Sequence, residues 1–283
     1  SPPFADLFVY SDSERDMGNC GGYDEFFDHY RYFTDALYRA MKPGRMTCVH
    51  CTDLPTRKGR DGFIGLHDFS GDLIRAHQDA GFVYHARAVI WKDPVVEMQR
   101  TKALGLLHKT IKKDSAMSRM GIPDYIVVMR KPGVNDDPVA GEFKYYVGDN
   151  PAPFFEPVDR NDGSTAWKVK QDTPNTSVDV WQRYASPVWM DINQTDTLNF
   201  REGRDSDDER HICPLQLEVI QRCLQLWSVE DDIVWSPFMG IGSEGYMSVK
   251  LGRKFIGAEL KPSYFQLAAR NMELAKETQY GLF

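Results

Sequence analysis

The residues best suited to chemistry lie in two stretches at opposite ends of the chain. Toward the C-terminus, Asp232-Ile233-Val234-Trp235-Ser236-Pro237-Phe238-Met239-Gly240-Ile241-Gly242-Ser243-Glu244 is followed by Gly252-Arg253-Lys254-Phe255-Ile256-Gly257-Ala258-Glu259. This order predicts a short buried strand, a glycine-rich turn, a helix, a glycine stop and a second buried strand with an acid at its carboxyl end. A nucleoside-binding βαβ half requires that arrangement. The glycines let backbone approach a ligand closely, and Glu259 stands where a carboxylate can hold two ribose hydroxyls. No Lys-Ser/Thr follows the glycines and the spacing is not G-x-G-x-x-G, so neither ATP nor a dinucleotide is the natural ligand. Taken alone, the same glycines also suit a plain βα turn with no ligand. At the other end, Ser1-Pro2-Pro3-Phe4 is a stiff turn that lacks two N–H donors and leaves its carbonyls free. By itself it is equally a proline-stiffened loop.

Together the two stretches resemble the amino-group DNA methyltransferases. The pattern of that family is D-P-F-x-G-x-G-T, a short helix, G-R-x-F-I-G-x-E and then a helix containing Tyr. Ser236-Pro237-Phe238-Met239-Gly240-Ile241-Gly242, Gly252 to Glu259 and Tyr264 are similar to it, with Ser236 in place of the first Asp. The family's catalytic loop, [DNS]-P-P-[YFW], resembles Ser1-Pro2-Pro3-Phe4. The resemblance implies an α/β, Rossmann-like class I methyltransferase sheet. It implies S-adenosyl-L-methionine as cofactor, held by Cys213, Pro214, Ser236, Pro237, Phe238, Gly240, Gly242 and Glu259. His211-Ile212-Cys213-Pro214-Leu215-Gln216 resembles the family's segment leading into the cofactor block.

The family's chemistry accounts for the residue types. An exocyclic amine of cytosine or adenine is a poor nucleophile, because its lone pair is conjugated with the ring. Acceptors that hold its N–H groups favour a more tetrahedral nitrogen. By resemblance, the Ser1 side chain and the Pro2 carbonyl accept those bonds, Pro3 stiffens the loop, and Phe4 stacks on a base flipped out of the duplex. The methyl group passes directly from sulfonium to nitrogen, with no covalent enzyme intermediate and no metal. Cys213 is not a nucleophile in this reading, since methylation at cytosine carbon needs a Pro-Cys loop and the order is Cys-Pro. Serine in the loop leans toward cytosine N4; adenine N6 is the alternative.

Along the chain, Tyr23 to Met41 is predicted as an amphipathic helix carrying Phe26, Phe27, Tyr30, Phe33, Leu37 and Met41 at three- and four-residue steps. Lys42-Pro43-Gly44 stops it, and Met46 to Cys51 is a buried strand. Phe69 to Ala80 is the next helix, Phe82 to Trp91 a strand and Tyr125 to Met129 another, with the last two expected as the sheet's terminal antiparallel hairpin. Between them Lys92 to Ile122 carries Arg100, Lys102, Lys109, Lys112, Lys113 and Arg119. Such a run is either a solvated face or a contact for DNA phosphates. From Gly133 to Arg210 Pro, Asp, Asn and Gly rise and periodicity disappears. This loop-rich segment is expected to be an inserted target-recognition lobe, with Lys168, Lys170 and Arg183 as candidates for contacting DNA. Pro214 is expected to open a helix buried through Val219, Ile220, Cys223, Leu226 and Trp227, and Pro262 a last helix to about Ala275. The division is therefore a catalytic half at residues 1–132, a recognition insertion at 133–210 and a cofactor half at 211–283. Catalytic loop first and cofactor loop last is the circularly permuted order of the β group of the family.

Composition bounds the rest. In 283 residues, 42% are hydrophobic and no apolar run reaches membrane-spanning length, which predicts a globular protein with no membrane segment. A net charge of −7 excludes a protein that coats nucleic acid non-specifically, while leaving room for a local basic patch that meets double-stranded DNA. Five cysteines with no signal segment read as reduced thiols in the cytoplasm. Cys48-Val49-His50-Cys51 resembles half a zinc site but has no second half in the sequence. A chain opening at Ser1 without Met is expected to be cut from something longer, and the glycine-turn variant resembles phage or prophage methylases placed behind a helicase-like region. Rival readings are a protein-glutamine or RNA methyltransferase, and a degenerate, non-catalytic DNA-binding module.

Overall fold

A computed structural model describes residues 1–5, 7, 11, 13–56, 58–136, 138–139, 154–159, 165–170, 177–199 and 214–280. The aromatic stripe after the N-terminal loop forms α1 (Tyr23–Ala40), with Phe26, Phe27, Tyr30 and Leu37 buried. The turn that ends it uses Gly44 at φ +75°, where a Cβ would lie 2.8 Å from the Asn135 backbone nitrogen. The chain then enters β1 (Met46–Thr52), a small β2 (Leu54–Pro55) and β3 (Leu66–His67) hairpin around the four-residue α2 (Lys58–Asp61), and α3 (Phe69–Asp79). Asp68 caps α3 by accepting the Gly71 N–H at 2.9 Å.

β4 (Val83–Ile90) leads through α4 (Pro94–Thr101) and α5 (His108–Lys113) to β5 (Asp124–Arg130). β5 lies between β1 and β4 and is antiparallel to both, so the predicted hairpin of β4 and β5 is present. β5 is covered on both faces. Val127 and Met129 meet Val49, Cys51, Leu73 and the aromatic stripe of α1; Ile126 and Val128 meet Ala88, Ile90, Trp189 and Val219. Its run Tyr125-Ile126-Val127-Val128-Met129 is continuous in apolar residues for that reason.

Within the segment expected to be a separate lobe, β6 (Phe154–Asp159) and β7 (Thr165–Lys170) pair as an antiparallel hairpin. The following α6 (Ser177–Ala185) and β8 (Val188–Trp189) behave differently. β8 joins β4 in parallel and extends the sheet beyond the hairpin, and Trp189 is 1% exposed within the main core. Residues 180–198 therefore pack into the α/β body rather than forming part of a self-contained insertion, because Trp189, Ile192 and Leu198 find their apolar partners there.

α7 runs Leu217–Trp227 with Gln216 as N-cap, so Pro214 precedes the helix by a short extended stretch instead of opening it. Val219 of α7 faces the main sheet, while Ile220 and Leu224 meet Met247, so this one helix joins both halves. β9 (Ile233–Ser236), α8 (Ser243–Lys250) and β10 (Lys254–Gly257) make the predicted βαβ unit, with β9 and β10 parallel, but the strands are not buried as expected, since Ile233, Trp235 and Ile256 are exposed; α9 (Pro262–Tyr280) closes the described chain. Arg45 donates to Asp232 at 2.7 Å, tying the entry of β1 to the entry of β9.

α7 also carries Arg222, which has no exposed surface and donates to Asp191 at 2.6 Å and to Glu218 at 2.5 Å, beneath the rings of Tyr184 and Trp189. Removing the cation takes from Glu218 its ion-pair partner and leaves Asp191 with Arg183 alone, at 3.6 Å, in a largely buried place. Arg222→Ala is therefore expected to lose about 3–5 kcal/mol in urea denaturation, and Arg222→Met less, because it refills the volume. A loss below about 1 kcal/mol for Arg222→Ala would contradict this account of the joint.

Candidate active site

The glycine turn between β9 and α8 is held open by backbone geometry that only glycine adopts readily. Gly240 and Gly242 have φ of +53° and +86°. A Cβ on Gly242 would lie 2.8 Å from Cβ of Ala268 in α9, whereas one on Gly240 would meet nothing within 4 Å. Gly242 is thus required by packing, and Gly240 leaves open space above the turn. Asn271 donates to the Ile241 carbonyl at 2.8 Å and pins the turn to α9. The Ser236 carbonyl accepts from Ala258 N–H at 3.0 Å, and Met239 N–H donates to the Ala258 carbonyl at 2.9 Å, which draws the turn onto the end of β10.

Glu259 follows directly. Its Oε2 accepts the Gly240 N–H at 2.8 Å and its Oε1 the Lys261 N–H at 2.9 Å. Burial pushes its carboxyl above the usual carboxylate range, and those backbone donors pull it back in part. Asp16 of the N-terminal loop is close enough to raise it further. Lys261 lies over the Tyr264 ring at 4.4 Å, and Tyr264 is buried against Ile241 and Leu267. Phe238 packs on Phe33 of α1 with ring centroids 5.3 Å apart, and Pro237 is half-buried beside it. Ser236 is buried.

The other end of the chain reaches the same place. Pro2 and Pro3 are buried, Phe4 is half-buried with its ring 6.0 Å from that of His50 and 6.2 Å from that of Phe69, and Ser1 is exposed. Ser1 Oγ is 3.4 Å from His50 Nδ1. Glu244, in the first turn of α8, is pushed up by burial and drawn back in part by His50, which lies close to it. The Ser-Pro-Pro-Phe loop and the glycine turn therefore adjoin, although the chain between them makes up most of the protein.

Two titratable groups in this region, His50 and Asp124, carry no functional signal of their own in the sequence. His50 is legible only as part of the Cys48-Val49-His50-Cys51 pattern. In β1 the alternation of side chains sends Cys51 into the α1/α3 core and Cys48 toward Cys223 of α7, so the pattern does not converge. His50 Nε2 instead faces Asp124 Oδ2 at 3.4 Å, and Asp124 Oδ1 accepts from Lys92 Nζ at 2.5 Å. Burial pushes the Asp124 carboxyl up, but His50 and Lys92 outweigh it and hold it below the usual value. Its position at the start of β5, opposite the end of β1, is the signal that would have found it.

The expected DNA-contacting residues divide. Lys102, Lys109, Lys112 and Lys113 are exposed on the α4–α5 segment. Arg119 donates to the Met120 carbonyl at 2.9 Å and lies 3.7 Å from Glu97. Arg183 is corrected: its side chain is 4% exposed and turned to Asp191 at 3.6 Å, so its charge is answered inside the protein. Lys168 and Lys170 fall in β7, whose backbone alone is described, and Cys213 lies outside the described residues.

The fold is α/β, a four-stranded sheet β1-β5-β4-β8 beside a separate parallel pair, β9 and β10, that carries the glycine turn and Glu259. A family model described as DNA methylase, spanning N6 and N4 enzymes, matches residues 1–270, and the chain belongs to that family. Among curated relatives, the type II methyltransferase M.MjaI of Methanocaldococcus jannaschii is 22% identical over 229 residues, 81% of this chain and 61% of that protein. M.BglI of Bacillus subtilis is 37% identical over 70 residues, 25% of this chain and 20% of that protein, and M2.DpnII of Streptococcus pneumoniae 32% over 60 residues, 21% and 22%. These matches cover about a fifth to three-fifths of the relatives' own lengths. A solved candidate DNA modification methylase from Thermus thermophilus, complexed with S-adenosyl-L-methionine, superposes with a TM-score of 0.60 at 18% identity, covering 89% of this chain and 79% of that one. The PvuII cytosine-N4-specific DNA methyltransferase gives 0.55 at 12% identity, covering 95% and 82%. Both show the shared fold.

The two glycines separate strain from packing. Gly240→Ala is expected to cost about 1–2 kcal/mol from its left-handed backbone alone. Gly242→Ala is expected to cost more, since α9 must also retreat. Equilibrium denaturation compares the two directly, and a larger loss at Gly240 would contradict the assignment.

Proposed function

We propose that this protein transfers a methyl group from S-adenosyl-L-methionine to the exocyclic amine of a base flipped out of double-stranded DNA, with cytosine N4 favoured. The observation that carries the reading is the meeting of the Ser1–Phe4 loop with the Gly240–Gly242 turn: Ser1 Oγ lies 3.4 Å from His50 Nδ1, and His50 is close enough to act on Glu244, just after the turn. One motif presents acceptors for an amine; the other offers a half-buried carboxylate and open backbone for a nucleoside.

The residues present fit that cofactor. Glu259 is a half-buried carboxylate aligned by two backbone donors, suited to ribose hydroxyls, and Gly240 leaves room above the turn. Ser236, Pro237 and Phe238 lead into the turn, and Pro214 lies at the entry to α7. When bound, S-adenosyl-L-methionine supplies an electrophilic methyl group on a positively charged sulfur. Ser1 Oγ and the Pro2 carbonyl accept the N–H groups of the target amine, which favours a tetrahedral nitrogen with its lone pair free. Pro3 holds the turn, and Phe4, half-buried against His50 and Phe69, offers a ring face to the flipped base. Lys102, Lys109, Lys112 and Lys113 contact phosphates, supplying the local positive surface that a chain of net charge −7 otherwise lacks.

The order of the two motifs supports the circularly permuted arrangement, and the β6–β7 hairpin with Lys168 and Lys170 is the remaining candidate for target recognition. Serine rather than aspartate or asparagine in the loop is what favours cytosine; adenine N6 is the runner-up. The phage-like ancestry and helicase-like region upstream rest on the glycine-turn variant alone.

Incubation with duplex DNA and labelled cofactor, followed by nucleoside digestion and mass spectrometry, is expected to yield N4-methylcytosine. N6-methyladenine would shift the base, and neither product would refute the reading. Phe4→Ala is expected to lower the rate by about one order of magnitude or more, on the scale of 1–3 kcal/mol for a base–aromatic contact, with thermal stability retained. Neutralising Lys109, Lys112 and Lys113 together is expected to weaken DNA binding equally across sequences and flatten its salt dependence; an unchanged salt slope would remove them from the interface.

A further inference from the structure

Behind Ser1 lies a line of polar groups that the methyl-transfer reading leaves unused. Ser1 Oγ faces His50 Nδ1 at 3.4 Å, His50 Nε2 faces Asp124 Oδ2 at 3.4 Å, and Asp124 Oδ1 is held by Lys92 Nζ at 2.5 Å. The side chains of His50 and Asp124 are 13% and 10% exposed, while Ser1 opens to the surface. The line thus runs from the point where the amine must sit into the protein. The elements that supply it are fixed independently: β1 and β5 pair with Thr52 opposite Asp124, and His50 opposite Ile126.

We propose that His50, oriented by Asp124, accepts through Ser1 the proton that the target amine must lose on methylation. This rests on the methyltransferase reading above and adds to it a route for the proton. The ionised Asp124 carboxylate fixes the tautomer with hydrogen on Nε2, which leaves Nδ1 as an acceptor facing Ser1. The Ser1 hydroxyl donates to Nδ1, and its lone pairs then point outward to accept an amine N–H. As the amine nitrogen bonds the methyl carbon with its lone pair, the departing sulfur keeps the electrons of the broken S–C bond and becomes neutral. The nitrogen is left positively charged. One of its protons passes to Ser1 Oγ while the Ser1 hydroxyl proton passes to His50 Nδ1, so the product base is neutral and the charge resides on an imidazolium beside Asp124. That proton returns to water after product leaves. The separations of 3.4 Å on both sides of the ring are long for hydrogen bonds, as apo proton-transfer sites commonly are before substrate tightens them.

The charged groups facing His50 are Asp124 on β5, with Lys92 behind it, and Glu244 on α8; Ser1 and Phe4 of the N-terminal loop complete its surroundings. Once protonated, His50 can only donate at Nδ1 and no longer receives the Ser1 proton. Activity carried by this route must therefore fall on the acid side.

The test is single-turnover methyl transfer by the full chain on duplex DNA from neutral to mildly acidic pH, with cofactor and DNA affinities measured in parallel. The wild type is expected to lose rate toward acid. His50→Gln is expected to be about 10²-fold slower, to lose the acid limb and to keep both affinities. Asp124→Asn, which keeps the shape but favours the opposite tautomer, is expected to slow transfer in the same way and decides the matter should His50→Gln fail to fold. A His50→Gln protein that retains the wild-type rate, or an Asp124→Asn protein that does so, would overturn the relay while leaving the methyltransferase reading intact. A wild type inactive at every pH would overturn that reading and the relay with it.

Discussion

The Glu259 carboxylate, accepting the N–H groups of Gly240 and Lys261 at 2.8 and 2.9 Å, is the interaction on which the site depends. It binds the glycine turn at the end of β9 to the start of α9, across the end of β10. Without it the left-handed turn at Gly240 would lose the hydrogen bond that holds it to the end of β10, a net loss of about 0.5–1.5 kcal/mol. The turn is also fixed from below, where α9 approaches Gly242 so closely that no Cβ fits. A surface for a nucleoside is thus built from backbone and one carboxylate, and the side chains around it serve mainly to hold that backbone in place.

Packing on both sides of α7 brings the two distant motifs together. α7 presents Val219 to the main sheet and Ile220 and Leu224 to α8, so the βαβ half cannot move away from β1 without exposing apolar surface on both sides. The ion pair of Arg45 with Asp232 marks the same boundary at the sheet's other end. His50 at the end of β1 and Glu244 at the start of α8 are close enough to interact, and Ser1 of the Ser-Pro-Pro-Phe loop approaches His50 to 3.4 Å. Among the described residues no helix is long and apolar enough to cross a membrane.

Much of this was legible in the sequence, for identifiable reasons. The stripe of α1, the continuous apolar run of β5 and the glycine punctuation around β9, α8 and β10 are local signals, because each reflects one element's own periodicity or backbone need. The failures share a different cause. Arg183 carries the charge of a DNA contact, but its type says nothing of Asp191, which neutralises it in the interior. Trp189 stands among polar residues in a stretch without periodicity, yet it is buried, because a two-residue strand suffices to dock it on β4. Pro214 suits a helix start, but the N-cap is Gln216, whose backbone, not its side chain, begins the helix. His50 and Asp124 come together only through the register of β1 and β5, which no single stretch of sequence encodes.

The central claim is that the Gly240 turn and Glu259 hold S-adenosyl-L-methionine, and calorimetric titration of that cofactor into the full chain tests it most directly, with Glu259→Ala as the comparison. The account predicts one site per chain in the wild type and binding abolished in the variant, while both proteins unfold cooperatively. A well-folded wild type that binds no cofactor, or a Glu259→Ala protein that binds it as tightly as wild type, would contradict it.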